Sequence, residues 1–347
     1  MKIHTTLRLF SIPIITIILF GCAPTKKLPE IIWPLPPDPP KIRFDKSFSG
    51  AKEFYGGSLA GEILLGEDPS GVFSKPNGLH TDKADRVYVS DTGSGLVQIF
   101  DPKADHPMIL EAGGRSPFTK PIGIATDNKG NIYVSDSGGD IVYIFGADLQ
   151  FISVIGHGGE VFKQPTGLAV DNERKRLYIV DTHKHQVTAF DIDTLKPLFT
   201  IGKRGRDDGE FNFPSFIVLD KKGNLYIVDT MNGRVQVFDP DGRFLRKWGR
   251  LGDGPGMFAR PKGIAMDSEG HVYVVDSAFN NVQIFDQEGQ ILMAFGAFGE
   301  GRGGQILPAG IAIDSEDRIY VADQWNERIN IFEYMGEKYK ARAGAKK

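Results

Sequence analysis

The feature that most constrains this chain is a seven-residue motif that returns six times. PNGLHTD begins at Pro76, PIGIATD at Pro121, PTGLAVD at Pro165, PSFIVLD at Pro214, PKGIAMD at Pro261 and PAGIAID at Pro308, spaced by 45, 44, 49, 47 and 47 residues. A second run follows each copy: RVYVSDT, NIYVSDS, RLYIVDT, NLYIVDT, HVYVVDS and RIYVADQ. A third follows that: LVQIFD, IVYIFG, QVTAFD, RVQVFD, NVQIFD and RINIFE. Short runs dominated by Val, Ile and aromatics read as strands. The turns between them, such as Ser268-Glu269-Gly270 and Gln287-Glu288-Gly289, end in a Gly that can take positive φ. The unit Pro261–Gly296 therefore reads as a four-stranded antiparallel meander, and a period near 45 is that of propeller blades. The expected fold is all-β, a six-bladed β-propeller of four-stranded antiparallel blades that build their core by stacking on one another.

The three motifs, P-x-G-I-A-x-D, x-[IV]-Y-V-x-D-[TS] and N-x-R-[VI]-x-x-F-D, resemble the NHL repeat family of six-bladed propellers over about residues 60–335. The resemblance implies the fold and leaves function open, because NHL propellers include binding platforms, RNA binders and a few enzymes. The repeats fall at about 76–119, 120–163, 164–212, 213–259, 260–306 and 307–336, within a propeller spanning 41–336. KIRFDKSF (41–48) alternates like a strand, and GEILLG (61–66) resembles the outer strand of a blade. The ring is expected to close by an N-terminal strand from 41–66 beside Arg328–Phe332, which removes an open edge. The competitor is a local strand at Glu337–Ala341. Residues 337–347 read as a solvated basic tail.

The first residues carry a different signal. Lys2 and Arg8 precede the apolar run Leu9–Phe20, which is too short to span a bilayer and suits a signal-peptide core. Leu19-Phe20-Gly21-Cys22 resembles the bacterial lipobox, with Phe20 departing from the usual small or β-branched residue. Residues 1–21 are thus read as a lipoprotein signal peptide and Cys22 as the lipidation site and membrane anchor. Ala23, rather than Asp, implies outer-membrane sorting under the rule for bacterial lipoproteins. Cys22 is the only Cys, so intrachain disulfides and Cys-based metal sites are excluded. Residues 22–40, rich in Pro, read as an extended tether.

A formal charge of −3 gives no global basic field, so nucleic acid is not an expected partner. Two Asp series, Asp82, Asp127, Asp171, Asp220, Asp267, Asp314 and Asp91, Asp136, Asp181, Asp229, Asp276, Asp323, recur once per blade. Such a repeat fits turn-fixing carboxylates better than ligands converging on one calcium ion. A Phe stands three residues before the motif Pro in five copies (Phe73, Phe118, Phe162, Phe211, Phe258) and Gln305 in the sixth, the pattern of a plug between blades. His157, His183 and His185 fall on the loop-rich end and are the weak zinc candidates. They are similar in this to the amidating lyase, a six-bladed relative that holds zinc with His residues, but no wider motif of it is present. His80 and His271 stand singly. Gly299–Gly304 matches a dinucleotide fingerprint, but a strand follows where a helix is required. No cofactor is expected. Met231, Phe279 and Trp325 occupy loop tips where Gly93 and Gly138 stand in other copies, as binding anchors or as groups folded over the channel mouth. The basic run at Arg204 and Arg206, near Arg246, Lys247 and Arg250 in sequence, would add polar contacts with His183 and His185. The expected function is a lipid-anchored, monomeric, non-catalytic platform for another envelope protein. A metal-dependent lyase or hydrolase, or a binder of a sugar or peptide, are the alternatives.

Overall fold

A computed structural model describes residues 28–56, 72–113, 117–156 and 159–345. Contacts divide the chain into Met1–Glu30, of which only residues 28–30 are described and these lack regular structure, and Ile31–Lys347. The second unit is a ring of six antiparallel sheets. Blade 5 shows the common plan: Pro261–Met266, Val272–Asp276, Asn281–Phe285 and Ile291–Phe295, hydrogen-bonded in sequence order from the axis outward. The expected all-β, six-bladed, four-stranded architecture is what the chain forms.

The first strand of each blade carries a bulge between its Pro and the fourth motif residue, as at Pro76/Leu79 and Pro261/Ile264. The motif Gly sits in that bulge because the next blade leaves no room for a side chain. A Cβ on Gly78 would meet the Ile122 carbonyl oxygen at 1.8 Å, and one on Gly310 would meet that of Asn77 at 2.2 Å. The contact repeats around the ring and returns to its start, so the glycines are required by close approach. Blade 4 departs from the rule with Phe216, and there the Ser215 hydroxyl donates to the Lys262 carbonyl at 3.2 Å instead.

Between blades lie six apolar clusters, and Phe73, Phe118, Phe162, Phe211 and Phe258 are buried in or against them. Gln305 is equally buried, with neither end of its amide hydrogen-bonded among the described residues. Both Asp series are structural. Asp314 accepts backbone N–H bonds from Glu316 and Arg318 and bonds from Arg318 Nε and the Tyr320 hydroxyl. Asp276 accepts the backbone N–H groups of Ala259 and Arg260, tying the preceding loop to its own blade.

The last blade is completed by Ile42–Phe48, which runs antiparallel to Arg328–Tyr334. A register shift between Phe44 and Lys46 turns the strand over, as a bulge does. Ile42 and Phe44 therefore enter the cluster between blades 5 and 6, while Phe48 enters that between blades 6 and 1. The competing strand at Glu337–Ala341 does not form: Glu337–Ala345 is a helix, because the outer position is already filled and its Glu, Lys, Ala and Arg favour helix. It is also less solvated than a free tail, since Arg342 pairs with Glu316 at 2.6 Å and Lys338 with Asp317 at 3.5 Å. The proposed tether is not extended throughout. Ile32–Trp33 pairs with Ile42–Arg43, and Trp33 packs its ring on Phe295 and Phe332. The signal peptide, Cys22 and the GEILLG run lie outside the described residues. Among the described residues no helix is long and apolar enough to cross a membrane.

Candidate functional site

The two ends of the ring are built from different connections. The blade-to-blade loops and the loops between second and third strands meet at one end, where Thr92 N–H donates to Lys75 and Ser277 N–H to Arg260. The described residues of the predicted loop-tip site all belong to this end, but they do not form one cluster.

His183, His185 and Arg204 meet at the junction of blades 3 and 4, and the Met231 backbone N–H donates to the Asn212 carbonyl in the loop between them. Phe213 stands between the two histidines, with ring centroids 5.5 Å from His183 and 4.6 Å from His185. His185 is buried, and its Nδ1 accepts the Phe213 backbone N–H at 3.0 Å. Burial, then the charges of Arg204 and His183, push its imidazole below the usual range. His185 is thus a packing and hydrogen-bonding residue, while His183 is exposed. His157 lies outside the described residues. Among the described residues no group of three or more His, Cys, Asp or Glu is arranged to hold a metal ion. Arg204 and Arg206 are exposed, but their loop is partly neutralised: Glu210 accepts the Arg206 backbone N–H and pairs with Lys203 at 3.2 Å. Arg246 points elsewhere, donating to the Gln287 carbonyl, and Lys247 pairs with Asp208.

The three apolar tips also part company. Met231 and Trp325 are exposed. Phe279 does not fold over the channel mouth; it is half-buried on the outer flank of blade 5, in a groove with Pro255 and Ile291–Ala294. Further apolar residues, among them Leu251, Phe298 and Leu307, are exposed in the blade-to-blade loops. Sequence reading passed over them because polar residues stand in register with them: Leu251 and Phe298 align with Arg204, and Leu307 with Lys75, Lys120 and Arg260.

It also missed the channel mouth. The second motif residues Asn77, Ile122, Thr166, Ser215, Lys262 and Ala309 follow one another around the axis at the loop end. Below them the channel is a cavity of about 240 Å³, walled by Ile124, Ala169, Phe216, Ala265 and Ile311 among others. Lys262 is the one cation among the six. Burial, then the positive charges of Arg260, Lys75 and Lys120, push its ammonium down to about 8. Lys75, Lys120 and Arg260 precede the motif Pro in blades 1, 2 and 5, and the ring brings them together although they are far apart in sequence. At the far end of the channel His80 Nε2 contacts the Thr126 hydroxyl at 2.9 Å, and burial pushes its imidazole down to about 4.

A family model described as a six-bladed β-propeller matches residues 110–204 and 205–278. The chain is a six-bladed β-propeller whose repeats resemble NHL repeats. It is 45% identical over 51 residues to protein lin-41 of Caenorhabditis elegans, covering 15% of the chain and 4% of that protein. It is 30% identical over 97 residues to peptidyl-glycine alpha-amidating monooxygenase B of Xenopus laevis, covering 26% of the chain and 11% of that protein. The matches thus span only a small part of these relatives. Among solved structures, an auxiliary nutrient binding protein from Bacteroides ovatus superposes with a TM-score of 0.60 at 14% identity, covering 76% of this chain and 70% of that chain. Such a likeness is one of fold.

Proposed function

We propose that the protein is a lipid-anchored cell-envelope platform that docks another envelope protein, without catalysis, through the loop-rich end of its ring. The observation that carries this reading is the exposure of large apolar side chains at that end: Met231 47%, Leu251 58%, Phe298 73% and Trp325 65%. Apolar groups held out on a rigid rim are the kind of anchor that binding energy concentrates in. Anchoring through Cys22, at the outer membrane, is part of the same proposal and rests on the lipobox-like Leu19–Cys22. A second reading, binding of a small nutrient such as a sugar or peptide, is favoured by the likeness in fold to the nutrient binding protein.

Cross-linking of the full-length protein in envelope membranes tests the platform. The expected result is one cross-linked partner that is lost with Trp325→Ala and Met231→Ser while the fold is retained. A partner indifferent to both, or none at all, overturns it. Cys22→Ser should release the protein from the membrane fraction, and an unchanged distribution would sink the anchor.

A further inference from the structure

We propose that the mouth of the channel is a binding site for a small multivalent anion, carrying carboxylate or phosphate groups, held by Lys262 with Lys75, Lys120 and Arg260. This stands whether or not the apolar rim docks a protein.

Three observations converge. The first is placement: Lys262 belongs to the ring of residues that encircles the axis, and the other three cations stand one step outside it. The second is the missing counter-charge. Among the described residues the side chains of these four have no carboxylate in contact, whereas Arg86, Arg174, Arg234, Arg318 and Arg328 each pair with an Asp. The nearby carboxylates of Asp91, Asp136 and Asp276 are instead occupied by backbone N–H groups of the loops that carry Lys75, Lys120 and Arg260. The third is enclosure. Lys262 is partly buried at the channel mouth, with Lys75, Lys120 and Arg260 exposed around it.

Like charges gathered in a partly desolvated place are unfavourable in the free protein. An anion at the mouth offsets these repulsions with attractions of its own and makes charge-assisted hydrogen bonds to the ammonium and guanidinium groups. One negative charge cannot satisfy four cations, hence a ligand with two or more. The charged groups facing Lys262 are Arg260, Lys75 and Lys120. The Lys262 ammonium is pushed down to about 8, so an anion that favours its charged form should bind with uptake of a proton near that pH.

The test is thermal melting of the protein and its variants with citrate, tripolyphosphate or chloride at matched ionic strength. Citrate or tripolyphosphate should raise the midpoint in the wild type beyond the effect of chloride, and the stronger of the two tells carboxylate from phosphate chemistry. Lys262→Met should melt higher than wild type without anion and lose most of the shift. Lys120→Ala and Arg260→Gln change exposed side chains, so they should fold normally and weaken citrate or tripolyphosphate binding several-fold in calorimetry. Equal shifts with chloride, or wild-type affinity in both exposed-site variants, would overturn the site.

Discussion

At the turn end of the ring every pair of neighbouring blades is joined by polar bonds; at the loop end the blades present unpaired cations and apolar tips. The turn-end belt can be followed completely. Lys83 reaches Asn128, the Asn128 N–H donates to Asn172, Arg176 and Tyr178 donate to the Pro240 carbonyl, and Lys221 donates to that of Ser268. Ser268 then donates to Asp317, and Ser315 to Asp85, which returns to blade 1. Both ends come from one repeated motif. What differs is the connections: the turns are short and nearly identical, so their Asp, Asn and Ser meet in register, while the loops are longer and more varied in sequence and hold out side chains such as Met231, Phe298 and Trp325 into solvent. Stability is concentrated where the repeat is regular, and recognition is free to develop where it is not.

Four measurements would break or sharpen this contrast. The largest effect is expected at the seam common to both ends. Phe48 is buried against Phe54, Phe73 and Phe100, so Phe48→Ala should cost about 3–5 kcal/mol in urea denaturation. Next is Asp314→Ala at the turn end, which strips Arg318 and Tyr320 of their shared acceptor. A loss of about 2–4 kcal/mol is expected; a loss no larger than that of the loop-end change below would erase the contrast. The third uses His80. Its folded-state value near 4 lies below the ordinary 6.5, so the unfolded chain takes up the proton first. Stability should therefore fall as pH drops from 6.5 towards 4 and level off below, by on the order of 1–3 kcal/mol. His80→Gln should remove that slope, read as the difference between the two pH–stability curves. The smallest is Trp325→Ala, which should change stability by no more than about 0.5 kcal/mol because its side chain is mostly in solvent.

The ring itself was legible in the sequence because a period near 45 leaves few alternatives, and the Asp and Phe series could be read as structural from their recurrence alone. Glu337–Ala341 stayed open as a competing strand because that the outer position was already taken is a fact of ring closure, not of local pattern. His185 stayed open as a weak zinc candidate for the opposite reason. It resembled a metal ligand beside His183, yet Phe213, from the next blade, turns it into a packing residue. The four cations of the mouth were invisible because Lys75, Lys120 and Arg260 sit one position before the motif and Lys262 one position inside it, in three different blades. Only closure makes them neighbours.

The strand that shuts the ring is made early and its partner late. As the chain leaves the ribosome, Ile42–Phe48 must wait for Arg328–Tyr334, about 15–60 s at ordinary rates of synthesis. During that interval Ile42, Phe44 and Phe48 have no finished cluster to enter, and the edge they would cover is not yet made. The propeller is therefore an object that comes into being at its last blade. A permuted chain that placed the Ile42–Phe48 segment directly after Tyr334 would make every blade contiguous and abolish the wait.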